Sequence, residues 1–263
     1  MEQAGDFLAE CQALDAVLDG VRGADWDRPT QFKGWTLNDV LVHLHFWNRM
    51  ADLSLTDPAA FQARAAETLA GIGRDGFRAT ENAMVTERGA DLRAAWAAQY
   101  TDMAERWATL DPKQRLQWVG PEMSARSSIT ARQMETWAHG QEVFDCLGAT
   151  RTETDRIRNI VVLGVNTFGW SFKVHGRPQP EAMPRLELTA PSGALWDFGE
   201  PGANRIAGPA VEFAQVVAQT RNIADTSLVV EGPVATEWMA IAQCFAGGPE
   251  TPPAKGARHR VAG

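Results

Sequence analysis

The stretch Thr130-Ala-Arg-Gln-Met-Glu-Thr-Trp-Ala-His-Gly-Gln-Glu-Val-Phe-Asp145 places an imidazole, His139, four residues after a carboxylate, Glu135. Residues at i and i+4 lie one above the other on a helix, so both side chains project from one face. Glu142 follows on the same stripe. A carboxylate and an imidazole that converge are ligands that Zn²⁺ accepts. The stretch predicts a metal-ligating helix, although a simple hydrogen-bonded pair has the same spacing.

A candidate third ligand lies about ninety residues upstream, in Gly34-Trp-Thr-Leu-Asn-Asp-Val-Leu-Val-His-Leu-His45. Thr36 and Asp39 have the pattern of a helix start, with a capping hydroxyl and an acid near the positive end of the dipole. His43 lies at the edge of the apolar stripe, and His45 points about 200° away from it. His43 would complete a set of three protein ligands with an open position, which is typical of catalytic zinc.

The two segments together resemble the DinB-like superfamily, and within it the mycothiol-dependent maleylpyruvate isomerase branch with a related set of actinobacterial metal-binding proteins. The resemblance rests on Gly-Trp-Thr and Asp-Val-Leu-Val-His-Leu upstream and on Met-Glu-Thr-Trp-Ala-His-Gly-Gln-Glu-Val downstream. It covers most of the chain and implies two domains. These are a DinB-like antiparallel four-helix bundle and a C-terminal α+β sterol-carrier-like domain. It also implies that His43, Glu135 and His139 hold the metal.

The resemblance implies a metal-dependent enzyme whose second cofactor is a low-molecular-weight thiol, mycothiol or a similar compound. Zinc is the expected metal, with nickel or iron as alternatives. The metal-bound thiolate would be the nucleophile, and the reaction would be cis-trans isomerisation or S-transfer on an electrophilic small molecule. Two other functions stay open. The protein could be a non-catalytic, metal-holding ligand carrier, or a metal-dependent hydrolase.

Two further residues are candidates for catalysis. Glu142, on the metal helix, would act as a general base or orient a ligand. Arg221 ends the segment Glu212-Phe-Ala-Gln-Val-Val-Ala-Gln-Thr-Arg221, which resembles, by a loose alignment, the family segment that carries a functional arginine. It would bind an anionic group. An arginine at a helix C-terminus also has a simpler role, because it interacts favourably with the helix dipole.

The hydrophobic period divides the chain near residue 175. Helical spacing continues up to Gly176-Arg-Pro178 and then gives way to alternating segments with turn residues between them. This change predicts a helical metal-binding bundle over 1–175, a small α+β domain over 176–247 and a disordered tail over 248–263.

Charge and composition exclude several classes of partner. The net charge of −8 and the pI near 5.2 disfavour nucleic acid, whose phosphates require a basic surface. An anionic membrane surface is disfavoured for the same reason, and no apolar run approaches the length of a membrane span. Three scattered cysteines are typical of reduced thiols. The expectation is a cytoplasmic protein that acts on a small-molecule substrate together with a thiol.

Overall fold

The first half of the chain is helical, and the main sheet occurs only in the second half. The computed structural model describes residues 1–262. Internal packing divides the chain into two units, Met1–Cys146 and Leu147–Gly263. A helical N-terminal domain followed by a mixed C-terminal region is the coarse architecture that the sequence predicts.

The N-terminal unit is built on five helices of 17 to 22 residues, and one short helix and a small two-stranded ladder complete it. These elements are α1 (Glu2–Leu18), α2 (Leu37–Thr56), α3 (Pro58–Asp75), α4 (Phe77–Met84), α5 (Gly89–Ala108), β1 (Arg115–Leu116), β2 (Met123–Ser124) and α6 (Ala125–Cys146). Helices α1 and α2 each pack against both α5 and α6. Helix α4 packs against α2 and α3.

The core between the long helices is rich in tryptophan. Trp96, Trp107 and Trp137 are fully buried. Helix α2 begins as predicted, because Thr36 and Asp39 form a capping box in which each side chain accepts a hydrogen bond from the other residue's backbone N–H. The capping box fixes the start of α2, and the buried core holds α2 and α6 in place. These two helices carry the predicted ligands.

The C-terminal unit combines a four-stranded sheet with short helices. Its elements are α7 (Arg158–Asn166), α8 (Phe168–Val174), β3 (Arg185–Thr189), β4 (Leu195–Phe198), β5 (Arg205–Pro209), α9 (Ala210–Val217), β6 (Val229–Glu231) and α10 (Pro233–Ile241). The strand order is β4-β3-β5-β6, with β3 and β5 parallel and the outer pairs antiparallel. Strands β3 and β4 form an antiparallel hairpin from two of the alternating segments.

The division between the units differs from the predicted boundary near residue 175. It follows Cys146, so helices α7 and α8 belong to the C-terminal unit. They pack there against α9 and α10, and the Phe168 ring lies 5.0 Å from the ring of Trp238. The helical spacing that precedes Gly176 corresponds to two helices, which are separated at Thr167, whose hydroxyl donates to the Leu163 carbonyl at 2.7 Å. Helical spacing shows which face of a helix is apolar but not which element covers that face. This explains why the predicted boundary and the observed division differ.

The C-terminal tail, which the composition predicts as disordered over 248–263, makes hydrogen bonds within its own unit as far as Arg260. Gly263 lies outside the described residues. Asn222 donates to the Pro253 carbonyl at 2.7 Å, and Arg258 donates to the Gln219 carbonyl at 2.7 Å. Both donors are side chains that bind backbone carbonyls, and the segment has no regular secondary structure. Within residues 1–262, no helix is long and apolar enough to cross a membrane.

Candidate metal centre

Three predicted ligands meet at one point in the N-terminal unit. His43 comes from α2, and Glu135 and His139 come from α6. The Oε2 atom of Glu135 lies 3.5 Å from Nε2 of His43 and 3.4 Å from Nε2 of His139. One donor atom from each residue lies within 4.8 Å of the other two. Both histidines are 9% exposed and the Glu135 side chain is 21% exposed, so the cluster is largely sheltered from solvent.

Glu81 fixes the orientation of the His43 ring. Its carboxylate oxygens lie 2.9 and 3.1 Å from Nδ1 of His43, and Oε1 also accepts a hydrogen bond from Nε1 of Trp47 at 2.7 Å. An ionised carboxylate can only accept, so Nδ1 carries a proton and Nε2 is the nitrogen through which the ring could bind a cation. This Nε2 faces Glu135. A carboxylate behind a histidine is the arrangement that orients metal-ligating imidazoles in proteins.

Two aromatic rings from the loop before α2 cover His139. The ring of Trp35 lies parallel to His139, with centroids 5.7 Å apart and an interplanar angle of 1°, and Phe32 meets the same ring edge-on at 5.0 Å. The loop turns at Gly34, where φ is +67°, a conformation that glycine adopts without a steric penalty. The backbone N–H of Thr30 donates to the Trp35 carbonyl at 2.7 Å and closes the loop.

The donor set fits a divalent cation. Ligands about 2.1 Å from a tetrahedral zinc ion lie about 3.4 Å from one another, and the two separations from Glu135 are 3.5 and 3.4 Å. Two imidazole nitrogens and one carboxylate oxygen are a common set for catalytic zinc and are also compatible with nickel or iron. The residues present therefore match the kind of site that the sequence predicts.

Comparison with known proteins places the chain in a family. The model for the mycothiol maleylpyruvate isomerase N-terminal domain matches residues 7–144. The chain belongs to this family. An uncharacterized protein of Mycobacterium tuberculosis strain CDC 1551 / Oshkosh is 37% identical over 257 residues, which cover 95% of this chain and 98% of that protein. A protein with the same description from strain ATCC 25618 / H37Rv matches to the same extent.

Solved structures of the family share the fold. The crystal structure of the mycothiol-dependent maleylpyruvate isomerase aligns with a TM-score of 0.54 at 17% identity, and covers 83% of this chain and 88% of that one. A mutant of that enzyme with one histidine replaced by alanine aligns with a TM-score of 0.53 at 16% identity over the same shares. These comparisons confirm the family predicted from the two motifs.

The acids of the centre determine where a proton resides in the metal-free protein. Burial lowers the pKa of His43, but the carboxylates of Glu81 and Glu135 outweigh it and raise that pKa to about 9. Burial raises the pKa of Glu135, but hydrogen bonds to His139 and His43 outweigh it and hold that pKa well below its usual value. Burial lowers the pKa of His139, against the opposing hydrogen bond to Glu135. His43 is therefore the imidazole that a cation must deprotonate.

The other predicted residues lie outside the donor cluster. Glu142 is buried on α6, with 1% of its surface exposed, and is not one of the three converging ligands. Arg221 follows α9 in the C-terminal unit, and its guanidinium donates to the Thr220 carbonyl at 2.9 Å. Cys146 is buried and its thiol contacts the Pro29 carbonyl at 3.7 Å. Catalytic roles for Glu142 and Arg221 stay predictions.

Sequence reasoning missed Glu81 behind His43 and also the charged and aromatic surroundings of Glu135. Arg132, one turn earlier on α6, places Nη2 at 3.9 Å from Oε1 of Glu135. Its guanidinium lies 5.4 Å from the ring centre of Trp118. Arg132 and Glu135 share the i, i+3 spacing of a helical face, which is the one signal in the sequence that could have indicated it. Nothing in the spacing indicates Trp118, since it comes from a loop.

Proposed function

We propose that this protein is a metal-dependent enzyme that uses a small thiol, mycothiol or a similar compound, on an electrophilic small molecule. The convergence of His43, Glu135 and His139 carries this proposal. A bound divalent metal, zinc or alternatively nickel or iron, would lower the pKa of a coordinated thiol so that it is a thiolate at neutral pH. The reaction would be cis-trans isomerisation, with S-transfer as the other outcome of the same nucleophilic addition.

The residues around the donors suit this chemistry. Glu81 holds Nδ1 of His43, so that Nε2 is available as a ligand. Trp35 and Phe32 fix the plane of the His139 ring. The rings also keep water away from part of the centre, which strengthens electrostatic interactions there. These residues leave Glu135 the most exposed ligand, with 21% of its side chain accessible, and this is the side from which a small molecule would approach.

Relatives support the choice of thiol and reaction. Mycothiol dependence and maleylpyruvate isomerisation belong to the enzyme whose solved structure shares the fold, and we extend the thiol requirement to this chain. Within the proposal, Glu142 acts as a general base or orients a ligand, and Arg221 binds an anionic group. We further propose that the N-terminal unit is a DinB-like antiparallel four-helix bundle, that the C-terminal unit is sterol-carrier-like, and that the protein acts in the cytoplasm.

Metal analysis and turnover assays test the proposal together. Protein purified without a metal-affinity tag is analysed for metal and then incubated with mycothiol and a panel of electrophilic alkenes that includes maleylpyruvate. We expect about one divalent ion per chain and product formation that needs both metal and thiol. His139→Ala should lose the metal and the activity. His45→Gln is the matched control, because His45 lies on α2 outside the donor set and should keep both.

The alternative functions give different results in the same assay. Turnover that survives chelation and omission of the thiol would contradict the proposal. Hydrolysis without thiol would indicate a metal-dependent hydrolase. Tight binding of apolar ligands that chelators do not affect, with no turnover of any electrophile, would indicate a ligand carrier. Equal metal content in His139→Ala and the unaltered protein would remove the metal site itself.

A further inference from the structure

The two oxygens of the Glu135 carboxylate have different neighbours. Oε2 lies 3.5 Å from Nε2 of His43 and 3.4 Å from Nε2 of His139. Oε1 is instead the oxygen nearest to Arg132, whose Nη2 atom is 3.9 Å away. One oxygen therefore converges with the two imidazole nitrogens, and the other lies beside a guanidinium from the preceding turn of α6.

Arg132 is a buried cation whose charge interacts with this carboxylate. Only 5% of its surface is exposed. The separation of 3.9 Å is beyond hydrogen-bond distance, so the contact is an interaction between charges. Burial lowers the pKa of Arg132, and the carboxylates of Glu135 and Glu81 oppose that effect. Because a guanidinium keeps its proton in proteins, the positive charge beside Oε1 is permanent.

Trp118 supports the guanidinium at a second point. Its ring centre lies 5.4 Å from Cζ of Arg132, which is a cation–π contact. The same ring lies 5.6 Å from the ring of Trp47 on α2 and stacks on Phe61 of α3, with centroids 6.2 Å apart and an interplanar angle of 16°. The loop between β1 and β2 is therefore anchored on two helices at the point where it meets Arg132. This packing restricts the positions that the guanidinium can adopt.

A fixed charge beside one carboxylate oxygen influences how the carboxylate binds a metal. A carboxylate can bind a cation through one oxygen or through both. Binding through both raises the coordination number and fills a position that a catalytic centre keeps open for water or substrate. A guanidinium beside Oε1 opposes this mode, because it attracts that oxygen and repels a cation that approaches it. The described contacts place no such cation beside Oε2.

We propose that Arg132, supported by Trp118, is a positioning residue that restricts Glu135 to binding the metal through Oε2 alone. The inference rests on one part of the proposed function, the divalent metal at His43, Glu135 and His139. It goes further by assigning the binding mode of one ligand and the residue that sets it. One position at the metal then stays open for the small thiol. In this role Arg132 acts through Glu135 and contacts neither metal nor substrate.

Cobalt spectroscopy tests the binding mode without any turnover. Metal-free, full-length protein is loaded with Co²⁺, whose visible absorption is intense in a tetrahedral site and much weaker when the coordination number rises. The neutral variant is Arg132→Met, because methionine is unbranched and fills irregular buried space. Arg132→Lys keeps the positive charge. Arg126→Met is the matched control, because Arg126 is an exposed arginine on the same helix.

We expect the absorption per bound cobalt ion to fall severalfold in Arg132→Met, because Oε1 of Glu135 then joins Oε2 at the metal. Arg132→Lys should keep most of the absorption, and Arg126→Met should match the unaltered protein. Identical spectra for Arg132→Met and the unaltered protein, at equal cobalt content, overturn the inference. An equal loss in Arg132→Lys and Arg132→Met also overturns it, since packing rather than charge would then set the coordination.

A second variant keeps the inference testable if Arg132→Met does not fold or does not bind cobalt. Trp118→Leu retains the three donor residues and Arg132 but removes the ring that supports the guanidinium. The absorption should fall in part, and Trp118→Phe should restore it because an aromatic face is present again. Unchanged absorption in folded, cobalt-loaded Trp118→Leu overturns the inference.

The proposed function can fail separately from this inference. Turnover with mycothiol and the panel of electrophiles is measured on the same proteins. A cobalt spectrum that depends on Arg132, in a protein without turnover, leaves the inference standing while the proposed function fails. Turnover together with an unchanged spectrum in Arg132→Met overturns the inference and leaves the function intact. Failure of the unaltered protein to bind any divalent metal overturns both.

Discussion

Glu81 determines which nitrogen of His43 faces the other two donor atoms. Its carboxylate accepts a hydrogen bond from Nδ1 of His43 at 2.9 Å and another from Nε1 of Trp47 at 2.7 Å. The Trp47 indole holds the carboxylate independently of His43. The acid is 1% exposed, so its burial costs free energy that these two hydrogen bonds offset.

Replacing Glu81 should therefore weaken metal binding without removing a ligand. Glu81→Gln keeps an acceptor oxygen but loses the charge, and we expect affinity for zinc to fall about 10- to 100-fold, as for other residues behind a ligating histidine. Competition with a chromophoric chelator measures this. Glu87→Gln is the control, because Glu87 is exposed. Identical zinc affinities for Glu81→Gln and the unaltered protein would show that Glu81 only fills space.

The proton on His43 gives the metal-free protein a pH-dependent stability. The pKa of His43 in the fold, about 9, lies above its ordinary value, so protonation stabilises the folded state. This contribution is complete below about pH 6.5 and is lost as the pH rises through about 9, with a slope of up to about 1.4 kcal/mol per pH unit. Urea unfolding of metal-free protein between these limits measures it. His43→Gln should flatten the profile, and a profile of the same slope in that variant would contradict the assignment.

The three residues whose donor atoms converge could be predicted from the sequence, whereas the groups behind them could not. His43, Glu135 and His139 fall at helical spacings in two recognisable segments, and spacing fixes direction on a helix. Glu81 lies on the short helix α4, and Trp118 lies in the loop between β1 and β2. Their position depends on tertiary packing, which leaves no periodic signal. Arg132 does share a face with Glu135, but an i, i+3 pair of charges is far commoner on solvated helices than at a buried site.

At the scale of elements, helix α4 brings Glu81 to the centre, and a glycine in α3 permits its approach. A Cβ atom at Gly71 would lie 2.7 Å from Cγ2 of Thr80, the residue before Glu81. Gly76 separates the two helices with φ of +82°. Gly71 is therefore a position of close packing and Gly76 a position where the chain turns.

We predict that Gly71→Val both destabilises the fold and weakens metal binding. The added side chain has to displace Thr80, and overpacking of this kind destabilises a protein by about 1–3 kcal/mol. A shift of α4 also moves Glu81, so zinc affinity should fall. Gly73→Val is the matched control on the same helix, since no atom lies within 4 Å of a Cβ placed there. Unfolding by denaturant and zinc titration of both variants test this. Equal effects of the two substitutions would exclude a special role for the α3–α4 contact.

At the scale of the whole molecule, the chain divides where its cores divide rather than where its hydrophobic period changes. Helices α7 and α8 have helical spacing like the bundle that precedes them, which is why the sequence predicts a boundary near residue 175. Their apolar residues are buried within the C-terminal unit, where Gly164 lies against Phe213 and Val217. A period identifies the type of an element and the face that it buries, but not the element that covers this face.

The two boundaries make opposite predictions for truncated chains. Residues 1–146 contain one complete unit and all three donor residues together with Glu81 and Arg132, so this fragment should fold cooperatively and bind zinc within about tenfold of the full chain. Residues 1–175 add α7 and α8 without α9 and α10. They should expose Ile160, Phe168 and Phe172, which are buried in the full chain, and should therefore aggregate or bind hydrophobic dyes.

Circular dichroism, zinc titration and sedimentation of the two fragments decide between these boundaries. A monomeric, well-folded fragment 1–175 beside an unfolded fragment 1–146 would return the boundary to the position that the sequence predicts. If fragment 1–146 binds zinc as expected, its activity with mycothiol and an electrophilic alkene becomes informative. Zinc binding without turnover would mean that the C-terminal unit contributes to catalysis, and Arg221→Ala in the full chain would then show whether that contribution is this arginine. Full turnover by the fragment would remove Arg221 from the mechanism.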